Sequence, residues 1–312
     1  MKSKHDSGET SLSSREGKSV LFTKMHGLGN KYVFFNLLNN PLDNHDLSEL
    51  ARSVSDVNYG IGSDGMILIC PSDKADFRMR IFNADGSEGK NCGNGLRCTA
   101  KYLYDNGYSE SSQFTIETLG EIVEVEVELE TNHKSTVRSV KVDMGEPKLQ
   151  KADLPMEGDP FSSTINEPVI IENQEFHMTC LSMGNPHAIL FVDDVKKFPL
   201  ERWGPKIEHA TLFPERVNVG IVHVLNEQEI DYRVWERGSG LTMACGTGAC
   251  AAVVAAALNN RLKRELPITV HLPGGDLTIL WDANNHVWKS GPAEYICHGE
   301  LAIETCQTLF SR

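Results

Sequence analysis

Two cysteines stand in the same short pattern, Cys92-Gly93-Asn94-Gly95 and Cys245-Gly246-Thr247-Gly248, and each opens a stretch with helical periodicity. The first backbone N–H groups of a helix lack internal partners and carry the positive end of its dipole. Flanking glycines let those groups approach an anion closely, so each turn is a potential carboxylate cradle. A thiol placed there has its thiolate favoured. One such element would fit a redox or nucleophilic cysteine. Two, symmetrically placed in facing units, fit a single carbon with a thiol on each side. One thiolate would remove a proton and the opposite thiol would return one to the other face. A zinc site would need further Cys or His at ligand spacing, and there is no CxxC pair. The remaining cysteines (Cys70, Cys98, Cys180, Cys250, Cys297 and Cys306) read as packed thiols without chemistry.

The elements that must position these turns come in two copies. At the offset of 153 residues that carries Cys92 onto Cys245, Arg80-Ile81-Phe82 falls on Arg233-Val234-Trp235, and the apolar run 66–69 lands near 219–222. Two residues out of that register, Gly29-Asn30 meets Gly184-Asn185. Each half therefore reads Gly-Asn, strands, a CGxG turn and a helix. Val125, Val127 and Leu129 alternate with Glu124, Glu126 and Glu128, which predicts a strand over 121–130 with one wet face. Further strands are expected at 77–82, 137–142, 189–192 and 230–235. One helix is expected over 94–106, with Leu96, Ala100 and Leu103 on one face and Asn106-Gly107 as its stop. A second, over 247–258, has no charged residue and must be wrapped on every side. The fold class expected is α+β: two pseudo-symmetric domains, each a curved, barrel-like, mostly antiparallel sheet around a central helix. The expected division is a disordered polar tail at 1–19, an N-terminal unit at 20–133 plus 293–312, and a C-terminal unit at 134–292. A hinge is expected around 131–135.

Composition narrows the partners. The 312 residues carry 43 acidic against 30 basic side chains, a formal charge of −13. Such a surface repels phosphate backbones and anionic membranes alike, so neither nucleic acid nor membrane is expected as a partner. The most apolar run, 243–258, is interrupted by Gly246 and Gly248 and falls short of the roughly 20 residues that span a bilayer. The polar N-terminus has no apolar targeting segment, so the cytoplasm is the expected location, with reduced thiols. Gly60 to Gly65 fit the dinucleotide pattern GxGxxG but lead into a strand-like run instead of opening a helix, the wrong context for a Rossmann turn.

Five ordered segments go further: MHGLGN at 25–30, IFNADGSEGKNCGNGLRC at 81–98, MGNPHA at 183–188, PERVN at 214–218 and WERGSGLTMACGTGAC at 235–250. Together they closely resemble the diaminopimelate epimerase family, and the resemblance covers nearly everything from about residue 20 onward. It implies interconversion of LL- and meso-diaminopimelate without a cofactor or metal, in lysine and cell-wall biosynthesis, by a homodimer. Cys92 and Cys245 are then similar to the two acid/base thiols, and His187 and Glu236 to the pair that assists them. Gly93-Asn94 and Gly246-Thr247 look like the backbone cradle for the reacting carboxylate. Asn30, Asn83, Asn185, Asn218, Glu236 and Arg237 look like the groups that hold the substrate. The chemistry agrees, since Arg237 could clasp a distal carboxylate bidentately while Glu236 and the Asn carbonyls accept from an ammonium. Two positions depart from the family: Lys31, where an acidic residue is common, and Gly65, where Gln is common. Rival readings are a pyridoxal-phosphate racemase, a two-cysteine epimerase of another amino acid such as a proline racemase, and a binding module without activity. A phenazine-pathway isomerase would lack the thiol pair.

Overall fold

The repeat in the sequence is a repeat of elements. The N-terminal half runs β1 (Ser19–Gly27), β2 (Asn30–Asn36), α1 (Leu47–Ser55), β3 (Gly65–Cys70), β4 (Phe77–Asn83) and β5 (Glu88–Gly89). It continues with α2 (Gly93–Asp105), β6 (Gln113–Glu117), β7 (Ile122–Leu129) and β8 (Val137–Asp143). A connection containing a single 3-10 turn (Lys151–Asp153) and β9 (Thr164–Ile171) leads to the second copy. That copy runs β10 (Gln174–Ser182), β11 (Pro186–Phe191), α3 (Leu200–Glu208), β12 (Asn218–Asn226), β13 (Glu229–Glu236) and β14 (Gly240–Leu241). Then come α4 (Gly246–Leu258), β15 (Ile268–Leu272), β16 (Gly275–Trp281) and β17 (Val287–Gly291), before β18 (Glu294–Ala302). The computed structural model describes residues 19–39, 46–90, 92–130 and 136–302. Positions 1–18, the expected hinge at 131–135 and the last ten residues lie outside the described residues, whereas Ser19 already belongs to β1.

Strand pairing repeats with the order. In the first half β1–β2 is antiparallel, β2–β3 parallel, β3–β4 antiparallel, β4–β6 parallel, and β6–β7 and β7–β8 antiparallel. In the second half β10–β11, β11–β12, β12–β13, β13–β15, β15–β16 and β16–β17 follow the same sequence of directions. The two sheets do not close separately. They join where β8 and β17 pair antiparallel, so the strands of both halves form one continuous ladder. β18 returns to the N-terminal half and pairs with β1 from Ser19↔Ala302 to His26↔Glu294.

Each half curls around its helix. Leu96, Cys98, Ala100 and Leu103 of α2 sit among Phe34, Ile67, Ile69, Ile81, Ile116, Val125 and Val142. Val137 and Val140 of β8, beyond residue 133, belong to the same N-terminal cluster. α4 is buried from Gly248 through Ala256 and packs among Ile189, Val222, Val234, Val270 and Ile279, as its lack of charge requires. Central strands are covered on both faces, which is why their runs are continuously apolar. In β3, Ile67 and Ile69 face α2, while Met66 and Leu68 face α1.

α1 and α3 are the two covering helices that the sequence did not single out. α1 is capped by Asp46, whose carboxylate accepts from the amides of Ser48 at 2.9 Å and Glu49 at 3.1 Å. α3 holds Gly204 and Pro205, which read as breakers. The glycine is there because a Cβ at 204 would lie 2.5 Å from Trp235 Cγ. α2 also differs from expectation. Arg97, Thr99 and Lys101, off the apolar face, are buried too, so this helix is enclosed almost as fully as α4. Lys101 reaches Asp105 at 3.1 Å and the Val137 carbonyl at 3.3 Å.

Candidate active site

Both cysteines occupy the N-cap position of an enclosed helix, Cys92 on α2 and Cys245 on α4. At Cys92 the sulfur accepts from the Gly95 amide at 3.3 Å and meets the Tyr32 hydroxyl at 3.0 Å. Burial holds the Tyr32 phenol well above its usual pKa, with the neighbouring Cys92 adding to the effect. The phenol therefore stays protonated and can either donate to the sulfur or accept from its thiol. At Cys245 the helix-capping bond is not made, and the sulfur lies 3.6 Å from Thr247 Oγ1. Burial pushes this thiol strongly up, and the facing Glu236 carboxylate pushes it further. The thiolate preference expected from position alone is thus overridden at Cys245 in the free site, because desolvation and a like charge outweigh the helix end. Two glycines set the sulfur-to-helix approach. A Cβ at Gly95 would lie 2.7 Å from Ile67 Cδ1, and one at Gly248 would lie 2.2 Å from the Tyr232 hydroxyl.

Across each sheet a row of residues borders its thiol. In the N-terminal half Tyr32 is opposite Gly65, and Gly65 opposite Asn83. In the C-terminal half His187 is opposite Asn218, and the antiparallel pair Val219↔Trp235 brings Glu236 beside Asn218. Tyr32, Gly65 and Asn83 thus correspond to His187, Asn218 and Glu236. His187 is fully buried, with Nε2 at 2.9 Å from Asn185 Oδ1 and 3.2 Å from Thr247 Oγ1. Burial, with a smaller push from Arg237, lowers its pKa to about 3, so the ring is neutral. Asn218 donates to the Pro186 carbonyl at 2.8 Å and accepts from the Arg237 amide at 2.9 Å. Glu236 accepts from the Thr242 hydroxyl, and Arg237 extends to the Glu215 carbonyl at 3.0 Å, with its side chain exposed. On the other side, Asn30 opens β2 and its amide serves the Tyr32 oxygen. Asn83 donates to Ser87 at 3.0 Å, and Asn94 is buried with its Oδ1 unpartnered.

The two helix starts converge. A Cβ on Gly93 would lie 2.0 Å from Lys289 Nζ, and a Cβ on Gly246 would lie 2.7 Å from the same atom. The first residues of α2 and α4 therefore meet around one ammonium. The MHGLGN loop also crosses between the halves: Leu28 packs in the C-terminal core, and its carbonyl comes within 2.7 Å of a Cβ placed on Gly274. Leu28 and Gly29 have φ of 54° and 91°, the left-handed turn that makes this crossing.

A sequence model of the family described as diaminopimelate epimerase matches residues 22–150 and 179–296. This chain belongs to the diaminopimelate epimerase family. A diaminopimelate epimerase of Bacillus cereus (strain AH187) is 54% identical over 285 residues, covering 91% of this chain and 98% of that protein. One from Bacillus licheniformis is 55% identical, covering 91% of this chain and 99% of that protein. Among solved structures, a Bacillus anthracis phenazine biosynthesis protein of the PhzF family aligns with a TM-score of 0.66 at 18% identity, covering 91% of this chain and 99% of that one. A hydroxyproline epimerase from Agrobacterium vitis, with bound trans-4-hydroxy-L-proline, aligns at 0.63 and 15% identity, covering 93% and 94%. Both share the two-domain, sheet-rich α+β fold of diaminopimelate epimerases.

Two residues bordering the thiols escaped the sequence reading. Tyr32 lies two positions after Gly29-Asn30 as His187 lies two after Gly184-Asn185, so the offset that aligned those pairs already pointed to it. Lys289 had no such signal, because nothing in its local sequence places it between two distant turns. The two departures have simple settings. The Lys31 backbone exchanges hydrogen bonds with Asp64, at 2.7 Å to its carboxylate and 2.8 Å from its amide. At Gly65 a Cβ would stand 2.5 Å from the Phe82 carbonyl oxygen, so the glycine accommodates that close approach.

Proposed function

We propose that this diaminopimelate epimerase interconverts LL- and meso-diaminopimelate by a two-thiol mechanism, supplying lysine and peptidoglycan precursors. The observation that carries the reading is the convergence of two cysteine-capped helix N-termini on one point. The reacting carboxylate would rest on the amides at Gly93-Asn94 and Gly246-Thr247, with both dipoles directed at it. The α-proton is very weakly acidic, and the charge left after its removal spreads onto that carboxylate. Fixed donors there stabilise the transition state more than the ground state.

The two thiols are differently prepared. Cys92 accepts from the Gly95 amide and lies in hydrogen-bond reach of the Tyr32 hydroxyl, which can donate to the sulfur when it acts as base. Cys245 is buried against Glu236, the environment of a thiol that keeps its proton. In one direction Cys92 takes the α-proton as Cys245 gives its own to the opposite face. In the return direction the roles exchange: Cys245, left as the thiolate, takes the α-proton as Cys92 gives its own. Neutral His187 orients Thr247 and Asn185 without adding charge. Asn30, Asn83, Asn218, Glu236 and Arg237 hold the remaining polar groups of the substrate. Operation without a cofactor, a homodimeric state and a cytoplasmic location belong to the same reading; no helix among the described residues is long and apolar enough to cross a membrane.

The test is incubation of fully reduced enzyme with LL-diaminopimelate in heavy water, without added cofactor, following deuterium at the α-carbon. Exchange with formation of the meso isomer is expected, and its absence would overturn the proposal. Exchange of proline or hydroxyproline instead would reassign the substrate to a neighbouring epimerase class. Cys92→Ala and Cys245→Ala should each lower turnover by about a thousandfold or more. Cys98→Ala should retain it, since Cys98 is fully buried with its thiol pushed up to about 12.

A further inference from the structure

Lys289 is the least explained charge in the molecule. It is fully buried on β17, and its Nζ has no hydrogen-bond partner. Its position in the fold makes a lysine still less expected. Phe77↔Ile116 and Ile230↔Val270 are equivalent pairs, as are Ile116↔Val123 and Val270↔Leu277. Two residues further along β7 and β16, Val125 pairs with Val142 and Ile279 with Lys289. Val142 and Lys289 are therefore the same position in the two repeats, and they face each other across the β8–β17 seam. One copy fills the position with a core valine; the other places an ammonium there.

The ammonium is surrounded by unfavourable electrostatics. It touches the first residue of both α2 and α4, the positive ends of two dipoles. The groups facing it are Cys92 and Arg97 from α2 and Cys245 and Cys250 from α4. Arg97 is itself fully buried, with both terminal guanidinium nitrogens unpartnered. No carboxylate among the described residues pairs with either cation. A buried, uncompensated charge is strongly destabilising, so a core position that retains one has a use for an anion.

We propose that Lys289 is a positioning residue for the epimerase reaction: its ammonium, wedged between the two helix starts, completes an anion seat whose missing counter-charge is the carboxylate on the reacting carbon. This inference rests on the function proposed above and adds a residue to it. Lys289 strengthens binding of the carboxylate and of the charge that develops on it. In the free site burial and Arg97 lower its pKa to about 8, so the seat loses its cation as the pH rises through that value. A seated anion favours the charged form and draws a proton onto the lysine.

The test compares the parent enzyme with Lys289→Met, a neutral side chain of similar length. KM for LL-diaminopimelate should rise by about tenfold or more, with kcat also reduced. In the parent, kcat/KM should fall above pH about 8, and that limb should be missing from the variant. The variant should also melt higher than the parent, because it removes an unpaired buried charge. A merely structural lysine would not produce higher stability together with weaker binding and a lost alkaline limb. An unchanged KM with the limb intact would overturn the proposal. A second measurement separates it from the choice of substrate. Acetate should slow alkylation of the two site thiols by iodoacetamide in the parent and not in Lys289→Met. If the parent fails to exchange diaminopimelate yet shows this lysine-dependent protection, the substrate assignment falls and the anion seat stands. If acetate protects both proteins equally, the seat does not depend on Lys289 and the inference fails.

Discussion

At the scale of single residues, the site combines groups held in definite protonation states by burial. His187 is the clearest case, since burial takes its pKa from an ordinary 6.5 to about 3. Between those values the unfolded chain binds a proton that the folded chain does not, so stability falls as the pH drops through that window. Melting temperature should therefore decline from pH 6.5 downward, and His187→Gln should flatten the part of that decline due to the imidazole. A variant curve parallel to the parent's would show that His187 is not held neutral. The same residue shows what was legible beforehand. Both cysteines stand out in the sequence because Gly and Cys mark turns and thiols directly, whereas His187, Glu236 and Asn218 were reached through the family resemblance. Tyr32 was concealed by its type, because a tyrosine inside an apolar strand reads as core until the repeat register sets it on His187.

At the scale of elements, the decisive joints are the helix starts. A glycine four positions into each CGxG turn lets the helix begin against a large neighbour, Ile67 in one copy and Tyr232 in the other. Gly248→Ala would drive a methyl into the rigidly enclosed Tyr232 hydroxyl at 2.2 Å. It should cost about 1–3 kcal/mol of stability, read from the urea midpoint, and should displace Cys245 enough to lower kcat. An unaltered midpoint would mean that the tyrosine has room to move. Elements with a strong period or a strong composition were readable: β7 from its alternating valines and glutamates, α4 from its lack of charge. α3 was not, because Gly204 and Pro205 lower local helix propensity, and its packing on Trp235 outweighs them. The polar residues that made α2 look half-exposed, Arg97, Thr99 and Lys101, are enclosed by strands from distant parts of the chain, a relation that local periodicity does not encode.

At the scale of the whole molecule, two copies of one unit share a seam and bring one thiol each to it. If the seam holds the halves as close as the shared contact with Lys289 requires, mild oxidation should link the thiols. Diamide should inactivate the enzyme, a reductant should restore it, and peptide mapping should find Cys92 joined to Cys245. Inactivation without that cross-link would separate the thiols. The repeat itself was legible because Gly, Cys and the strand motifs recur in order. The continuity of the ladder through β8 and β17 was not, since hydrogen bonding between the last strands of two copies leaves no local trace.

The pairing of β1 with β18 also constrains the order of assembly. The edge formed by the first described strand is satisfied only by a strand near the other end of the chain, from Ser19↔Ala302 inward. During synthesis the N-terminal half emerges with its core helix and most of its sheet but with that edge open until β18 has been made. An open strand edge is a template for mispairing, and closure across so long a loop is slow. The second copy faces no such wait, because β9, which pairs with β10, is made just before it. The copy made first therefore waits for a strand made after the second, and the interval before β18 is made is when this chain is most exposed to aggregation.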